Sequence, residues 1–160
     1  MPELDSADAD RRFDEVFQTC WLPTFRFALA WTNDWPAAED IAQDAFARLW
    51  TRRQTIDWSK PMLPWLLQVT RRLATDRFRR LRRVVRLADS PAATALDSDA
   101  RLRWLDLQVA MSTLTPVQRS ALVLTAVVGL DYDSAAVALD TTPGAVRAAV
   151  SRARISLAEQ

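Results

Sequence analysis

The chain predicts an all-α protein of two small helical domains joined by a flexible linker, the C-terminal one a four-helix unit ending in a helix-turn-helix. Three observations carry this. Among 160 residues there are only two glycines, while Ala, Leu and Arg, all strong helix formers, are abundant. Apolar residues recur at three- and four-residue steps along most of the chain, the spacing of a buried helix face. That period fails once, over residues 87–100, where Ala, Ser, Asp and Pro gather as in a linker. Domains over 10–86 and 101–160 follow.

Composition narrows function. Apolar residues make up 49% of the chain, enough for real cores. There is no histidine and a single cysteine, Cys20, which removes His-dependent triads, CxxC zinc sites and disulfide frameworks. No nucleophile–base pair stands out, so no catalytic residue, metal ligand or cofactor is expected. The acidic start lacks the apolar core of a signal peptide, and no run of about eighteen apolar residues suggests a membrane span. A cytoplasmic protein is expected. The net charge of +1 conceals an asymmetry: residues 1–50 hold ten acids against four arginines, and residues 51–90 eleven bases against three acids. An acidic face suits a basic protein surface, and a basic face suits nucleic acid.

Residues 1–9 read as frayed. A first helix starts near Asp10, with Phe13, Val16, Phe17 and Cys20 on one face and Pro23 as an interruption. Asp34 caps a second helix that begins at Pro36 and runs to about Arg52, with a core stripe of Ala38, Ile41, Ala42, Ala45, Phe46 and Leu49. Glu39, Asp40, Gln43 and Asp44 lie off that stripe, either as a solvated face or as a docking surface. The loop 53–61 holds Trp58 beside Lys60; the ring either lids the core or stacks on an unpaired base.

A third helix spans about 62–84. Leu63, Leu66, Leu67, Leu73, Ala74, Phe78 and Leu81 share one side; Arg72, Arg79, Arg83 and Arg86 share the other, bordered by Trp65 and Val69. Eight arginines between residues 71 and 86 meet one acid, Asp76, whereas a merely solvated helix intersperses its charges. Rings beside guanidinium groups are the arrangement that holds single strands.

The second domain opens with a helix at about 101–113 that uses Leu102, Leu105, Val109 and Met111. Thr115-Pro116-Val117-Gln118 is a capping box, and Gly129 closes the helix it starts. From Asp131 to Leu157 follow a short apolar helix, a turn at Asp140 and a second helix capped by Thr142 with Pro143 first. Val146, Val150, Ala153 and Leu157 form its buried stripe. Arg147, Ser151, Arg152 and Arg154 lie outside it, where a recognition helix meets the major groove; an ordinary hairpin with a solvated basic face is the plainer alternative.

Four motifs in this order resemble the extracytoplasmic-function (ECF) group of bacterial sigma factors. Residues Ala38 to Trp50 look like the "AEDxxQExFxxxW" helix of that group, and Trp65 to Arg80 like its "WLxxIAxNxxxDxxRR" helix. Leu114 to Arg119 resemble "LPxxxR", and Val146 to Leu157 resemble "VKSRLxRARxxL". The likeness covers about residues 12–158. It implies a promoter-specificity subunit of RNA polymerase. Asp40, Gln43, Asp44 and Phe46, with Glu39 beside them, would dock on the polymerase clamp helices. Trp58, Lys60, Trp65, Arg71, Arg72, Arg79, Arg80 and Arg83 would lie at the melted minus-ten strand. Thr142, Arg147, Ser151, Arg152 and Arg154 would serve the minus-thirty-five duplex. Partners implied are core RNA polymerase, promoter DNA and an anti-sigma factor. In the free protein the two domains would be loosely tethered.

The chain departs from the pattern in places. Arg72 replaces the Asn of the melting helix, and Ser134-Ala135 replace Glu-Ile before the turn. Ala148 and Ala149 stand where the pattern has Ser and Arg, which implies weaker duplex contact or contact with thymine methyls. The alternatives to a sigma factor are a stand-alone helix-turn-helix regulator, for which the acidic helix would be idle, and a helical adaptor. Charge reversal of the basic row separates the faces: Arg79→Glu with Arg83→Glu is expected to abolish promoter opening in a permanganate footprint while core polymerase still co-purifies with the variant.

Overall fold

The computed structural model describes residues 6–84, 106, 107 and 109–159; for Phe78, Arg79 and residues 81–84 it describes the backbone alone. The linker 87–100, Arg86, Leu102, Leu105 and residues 1–5 lie outside the described residues; residues 6–9, expected to be frayed, belong to the first helix, which starts at Ser6 rather than near Asp10 and buries Ala9. Every described element is helical: α1 (Ser6–Thr32), α2 (Trp35–Arg52), α3 (Met62–Val84), α4 (Pro116–Leu122), α5 (Tyr132–Leu139) and α6 (Pro143–Ala158). Residues 109–112, with Asp106 and Leu107, are helical too. A π-helical turn, Val123–Val127, extends α4.

Local chemistry places most boundaries. Asp34 accepts from the Ala37 N–H at 3.1 Å and starts α2 ahead of Pro36. The Thr115 hydroxyl takes the Gln118 N–H while the Gln118 side chain takes the Thr115 N–H, the reciprocal capping box that the sequence predicts. Gly129 turns the chain after α4 at φ +80°, a conformation in which a Cβ costs energy. The predicted α2 stripe is buried in full, with Ala37 added.

Pro23 does not interrupt α1; it lies inside one 27-residue helix. A proline there forfeits one backbone bond and costs about 3 kcal/mol. Just past it α1 is buried at Thr24, Phe25, Phe27, Ala28 and Ala30, on more than one side, and that packing offsets the loss. Phe25 and Ala28 join Ile41, Ala42 and Ala74 in one cluster, which ties α1 to α2 and α3. Phe27, on another side of α1, joins Leu67 of α3 in a cluster with Leu124, Ala136, Leu139, Val146 and Val150.

That second cluster corrects the expectation of loosely tethered domains. Helix α3 packs on α5 and helix α1 on α4, so the N-terminal and C-terminal helices share a core. The Gln68 side-chain amide also donates to the Val137 carbonyl at 2.8 Å. Two smaller expectations also change. Val69 is buried rather than bordering the basic side, and Val109, assigned to a core face, is 67% exposed.

The turn between α5 and α6 rests on Asp140, which adopts φ 53° and ψ 52°. Left-handed backbone is open to Gly, Asn and Asp and costs a β-branched residue about 1–2 kcal/mol. Urea unfolding is the check: Asp140→Val is expected to lose about 1–2 kcal/mol, while Asp140→Gly keeps or raises stability.

Candidate nucleic-acid interface

Helix α6 is the end of the chain that faces outward. Its N-terminus is set by Thr142, whose hydroxyl accepts from the Ala145 N–H at 3.2 Å, and Thr142 stays exposed. Val146, Ala149, Val150 and Ala153 are buried against α4 and α5. Arg147, Ser151, Arg152 and Arg154 are exposed on the rest of the helix. The Arg147 guanidinium sits 5.2 Å above the Tyr132 ring, a cation–π contact that keeps it close to α5. Three guanidinium groups and a hydroxyl on one open helix can take phosphates or guanine edges. Ala149 faces the core at 2% exposure, so thymine methyls are out of its reach; Ala148 is half-buried.

Helix α3 presents a second basic surface. Arg72 and Arg80 are exposed. Arg79 and Arg83 are placed by backbone only, on a helix that runs through both. Arg71 behaves differently. It turns toward the C-terminal helices and pairs with Asp140 at 3.4 Å, its own side chain 24% exposed. Arg77, which the sequence reading left out, pairs with Asp40 of α2 at 3.2 Å. Both pairs are open to water on at least one side and contribute under about 1 kcal/mol each. They do set which arginines remain available.

Trp58 and Trp65 both pack against the core. Trp58 donates its indole N–H to the Arg53 carbonyl at 2.8 Å and packs, partly buried, on the cluster of Leu49, Met62 and Leu66. Trp65 packs on the same cluster. The Trp58 ring lies over this cluster with part of its surface open to water. Lys60 is exposed beside Asp57, 3.7 Å away. The Ser59 hydroxyl and N–H, and then that lysine, hold the Asp57 carboxyl below the usual carboxylate range.

On α2, Glu39, Asp40, Gln43 and Asp44 are exposed in one row. Phe46 is not part of that row. It is 3% exposed, and its ring lies 5.0 Å from Phe17 and 5.7 Å from Trp21, so it clasps α1 to α2 beneath the surface. The aromatic of this motif therefore serves the pairing of α1 and α2, with the acidic row on the outside of that pair. Gln68 was also missed by the sequence reading. A lone polar residue among leucines on a helix flank is its only sequence signal.

Helix-turn-helix geometry with an arginine face, joined to a second arginine-rich helix and an acidic row, defines a DNA-binding protein that also carries a surface suited to a basic partner. Comparison with known families makes this specific. Residues 12–84 match Sigma-70 region 2, and residues 104–157 match Sigma-70 region 4. The ECF RNA polymerase sigma factor SigC of Mycobacterium tuberculosis is 31% identical over 96% of this chain and 86% of its own. EcfG of Rhodopseudomonas palustris, also an ECF sigma factor, is 28% identical over 85% and 78%. RfaY of Xanthomonas campestris is 32% identical over 95% of this chain, which spans only 41% of that protein. Among solved structures, the sigma factor RpoE of Bartonella quintana, crystallised with the anti-sigma factor NepR, superposes with a TM-score of 0.73 at 26% identity, covering 92% of this chain and 94% of that one. CnrH, solved with the cytosolic domain of CnrY, shares the fold, with a TM-score of 0.74 at 23% identity over 96% and 92%. The chain belongs to the sigma-70 family of RNA polymerase sigma factors, in its ECF group. No helix among the described residues is long and apolar enough to cross a membrane.

The cap of α5 gives a pH test. The Asp131 carboxylate takes the Ser134 N–H at 2.7 Å, and this backbone bond, followed by the Ser134 hydroxyl, holds its pKa below the usual value. With the folded pKa below the unfolded one, the cap contributes fully above about pH 4 and is lost as pH falls through the lower folded value. Asp131→Asn keeps a capping oxygen without the titration, so acid unfolding followed by circular dichroism is expected to become less steep in that pH window.

Proposed function

We propose that this chain is a promoter-specificity subunit: it binds core RNA polymerase, recognises two promoter elements and helps open the DNA between them. The carrying observation is that both sigma-70 regions match in order along one chain, each with an exposed charged helix of the expected sign. In this reading Glu39, Asp40, Gln43 and Asp44 dock on a basic polymerase surface. Arg72, Arg79, Arg80 and Arg83, with Lys60, hold the phosphates of the melted minus-ten strand. Arg147, Ser151, Arg152 and Arg154 meet the minus-thirty-five duplex, with Thr142 at the helix entry. Trp58 and Trp65 support the strand-binding helix from below. The domains are assigned as 10–86 and 101–160, with 87–100 as linker. No covalent chemistry belongs to the chain, and the protein works in the cytoplasm, where its template is.

The packed arrangement supports a specific order of events. Promoter elements centred near minus ten and minus thirty-five are about 25 base pairs apart, roughly 85 Å of duplex. Helices α3 and α5 touch here, with Gln68 bonded to Val137. One molecule cannot hold both elements in this form, so docking on polymerase must part the halves and fix their separation, which raises the effective concentration of each at its element. The closed form is then the DNA-free state. Its likeness to a sigma factor solved with an anti-sigma partner supports an anti-sigma factor for this chain as well, one that holds the halves together.

Run-off transcription with core polymerase on a promoter library tests the reading. Transcripts that start at a shared motif are expected only when the chain is present. Glu39→Lys with Asp44→Lys should weaken polymerase binding about tenfold, whereas Arg152→Glu with Arg154→Glu should leave it intact and lose upstream-element selectivity. Binding of a single compact operator without polymerase would favour the stand-alone regulator.

A further inference from the structure

A cavity of about 370 Å³ lies between α1 and the helices that precede and form α4. Its walls are apolar: Phe25 and Leu29 from the first half of the chain, Met111, Val123 and Val127 from the second, with Trp35 alongside. Among the described residues that line it there is no acid. One wall carries Arg119, 9% exposed, whose Nε has no hydrogen-bond partner. Burial lowers the pKa of this guanidinium. A buried guanidinium nitrogen left without an acceptor is costly, and such a group calls for a partner. Arg26 lines the same cavity from the exposed side of α1.

We propose that this cavity binds a monoanionic amphiphile, a carboxylate with an apolar body on the order of ten carbons, and that the bound molecule holds the two halves of the chain together. The carboxylate accepts from the Arg119 guanidinium, and a charge-assisted bond in an apolar wall is a strong one. The apolar body fills the space between Leu29, Met111 and Val123. A small molecule fits better than a partner helix, because the site is a concave hole with one buried charge, Arg119, and Arg26 at its exposed edge, whereas a stable protein interface covers about 800 Å² on each side. Since the walls come from both halves, a ligand that fills the site binds the closed form only, and it stabilises that form by mass action. The consequence for transcription rests on the sigma-factor reading; the binding itself does not.

Calorimetry on the full chain, with sodium decanoate kept below micelle formation, decan-1-ol and decyltrimethylammonium, tests the site directly. Decanoate is expected to bind at one site, and Arg119→Met to weaken it about tenfold or more while decanol binding is nearly unchanged. Because Met replaces an unpaired buried charge, Arg119→Met should fold at least as stably as the parent. Val127→Trp, at a position 52% exposed, is a second variant that narrows the mouth without disturbing the core, and it should weaken both ligands. Equal affinity for all three amphiphiles would overturn the assignment. So would a second copy of the chain occupying the face, seen as dimerisation in sedimentation that Val127→Trp abolishes. Decanoate should also lower complex formation with core polymerase for the parent but not for Arg119→Met; binding without that effect would overturn the bridging role. If the chain fails to bind polymerase even without ligand, the sigma-factor reading falls while the calorimetry still decides the site.

Discussion

Burial of Phe27 and Leu67 in the cluster built by α4, α5 and α6 is the contact on which the rest depends. Both side chains are fully buried, and each comes from a helix whose other faces serve the N-terminal core. Removing two such groups from water is worth about 1.5–3 kcal/mol apiece. That is a substantial share of what holds the halves together. The interface is partly polar, through Gln68 and Arg71, as contacts between domains of one chain often are.

The same contact sorts the arginines. A uniform basic face on α3 would attract nucleic acid at any site, without regard to sequence. In the closed form Arg71 is drawn to Asp140 across the junction, and Arg77 is drawn to Asp40 across the N-terminal core. Arg72, Arg80, Arg152 and Arg154 stay exposed, and Arg147 is exposed while resting over the Tyr132 ring. Both pairs are weak enough to exchange for other anions. Asp40 has a double position. It lies in the acidic row and also restrains Arg77, so a partner that competes for Asp40 would release an arginine as it docks.

Helix α1 shows how tertiary context outweighs a local rule. A proline at position 23 argues for a break, and a helix with one apolar stripe would break there. What keeps α1 whole is that its second half packs on more than one side, with Phe25 and Ala28 toward α2 and α3, and Phe27 toward the C-terminal helices. A search for one stripe finds Phe13, Val16, Phe17 and Cys20 and passes over Phe27. The second apolar face becomes meaningful only once a distant part of the chain lies against it.

The amino-acid sequence by itself determined whatever depends on residues a few positions apart. The α2 stripe from Ala38 to Leu49, the caps at Asp34, Thr115 and Thr142, the stop at Gly129 and the left-handed turn at Asp140 are all local chemistry, and all are found where the spacing predicts. Their order along the chain carries the family. Tertiary structure alone decided which side of each helix meets which neighbour. It paired the buried Phe46 ring with Phe17 and Trp21 so that it clasps α1 to α2, laid Trp58 over the core, faced Ala149 inward and closed the two halves over an apolar cavity with Arg119 in its wall. The reason is distance: residues 27 and 67 lie tens of positions from residue 139 in the chain, and no periodicity measures a contact between them.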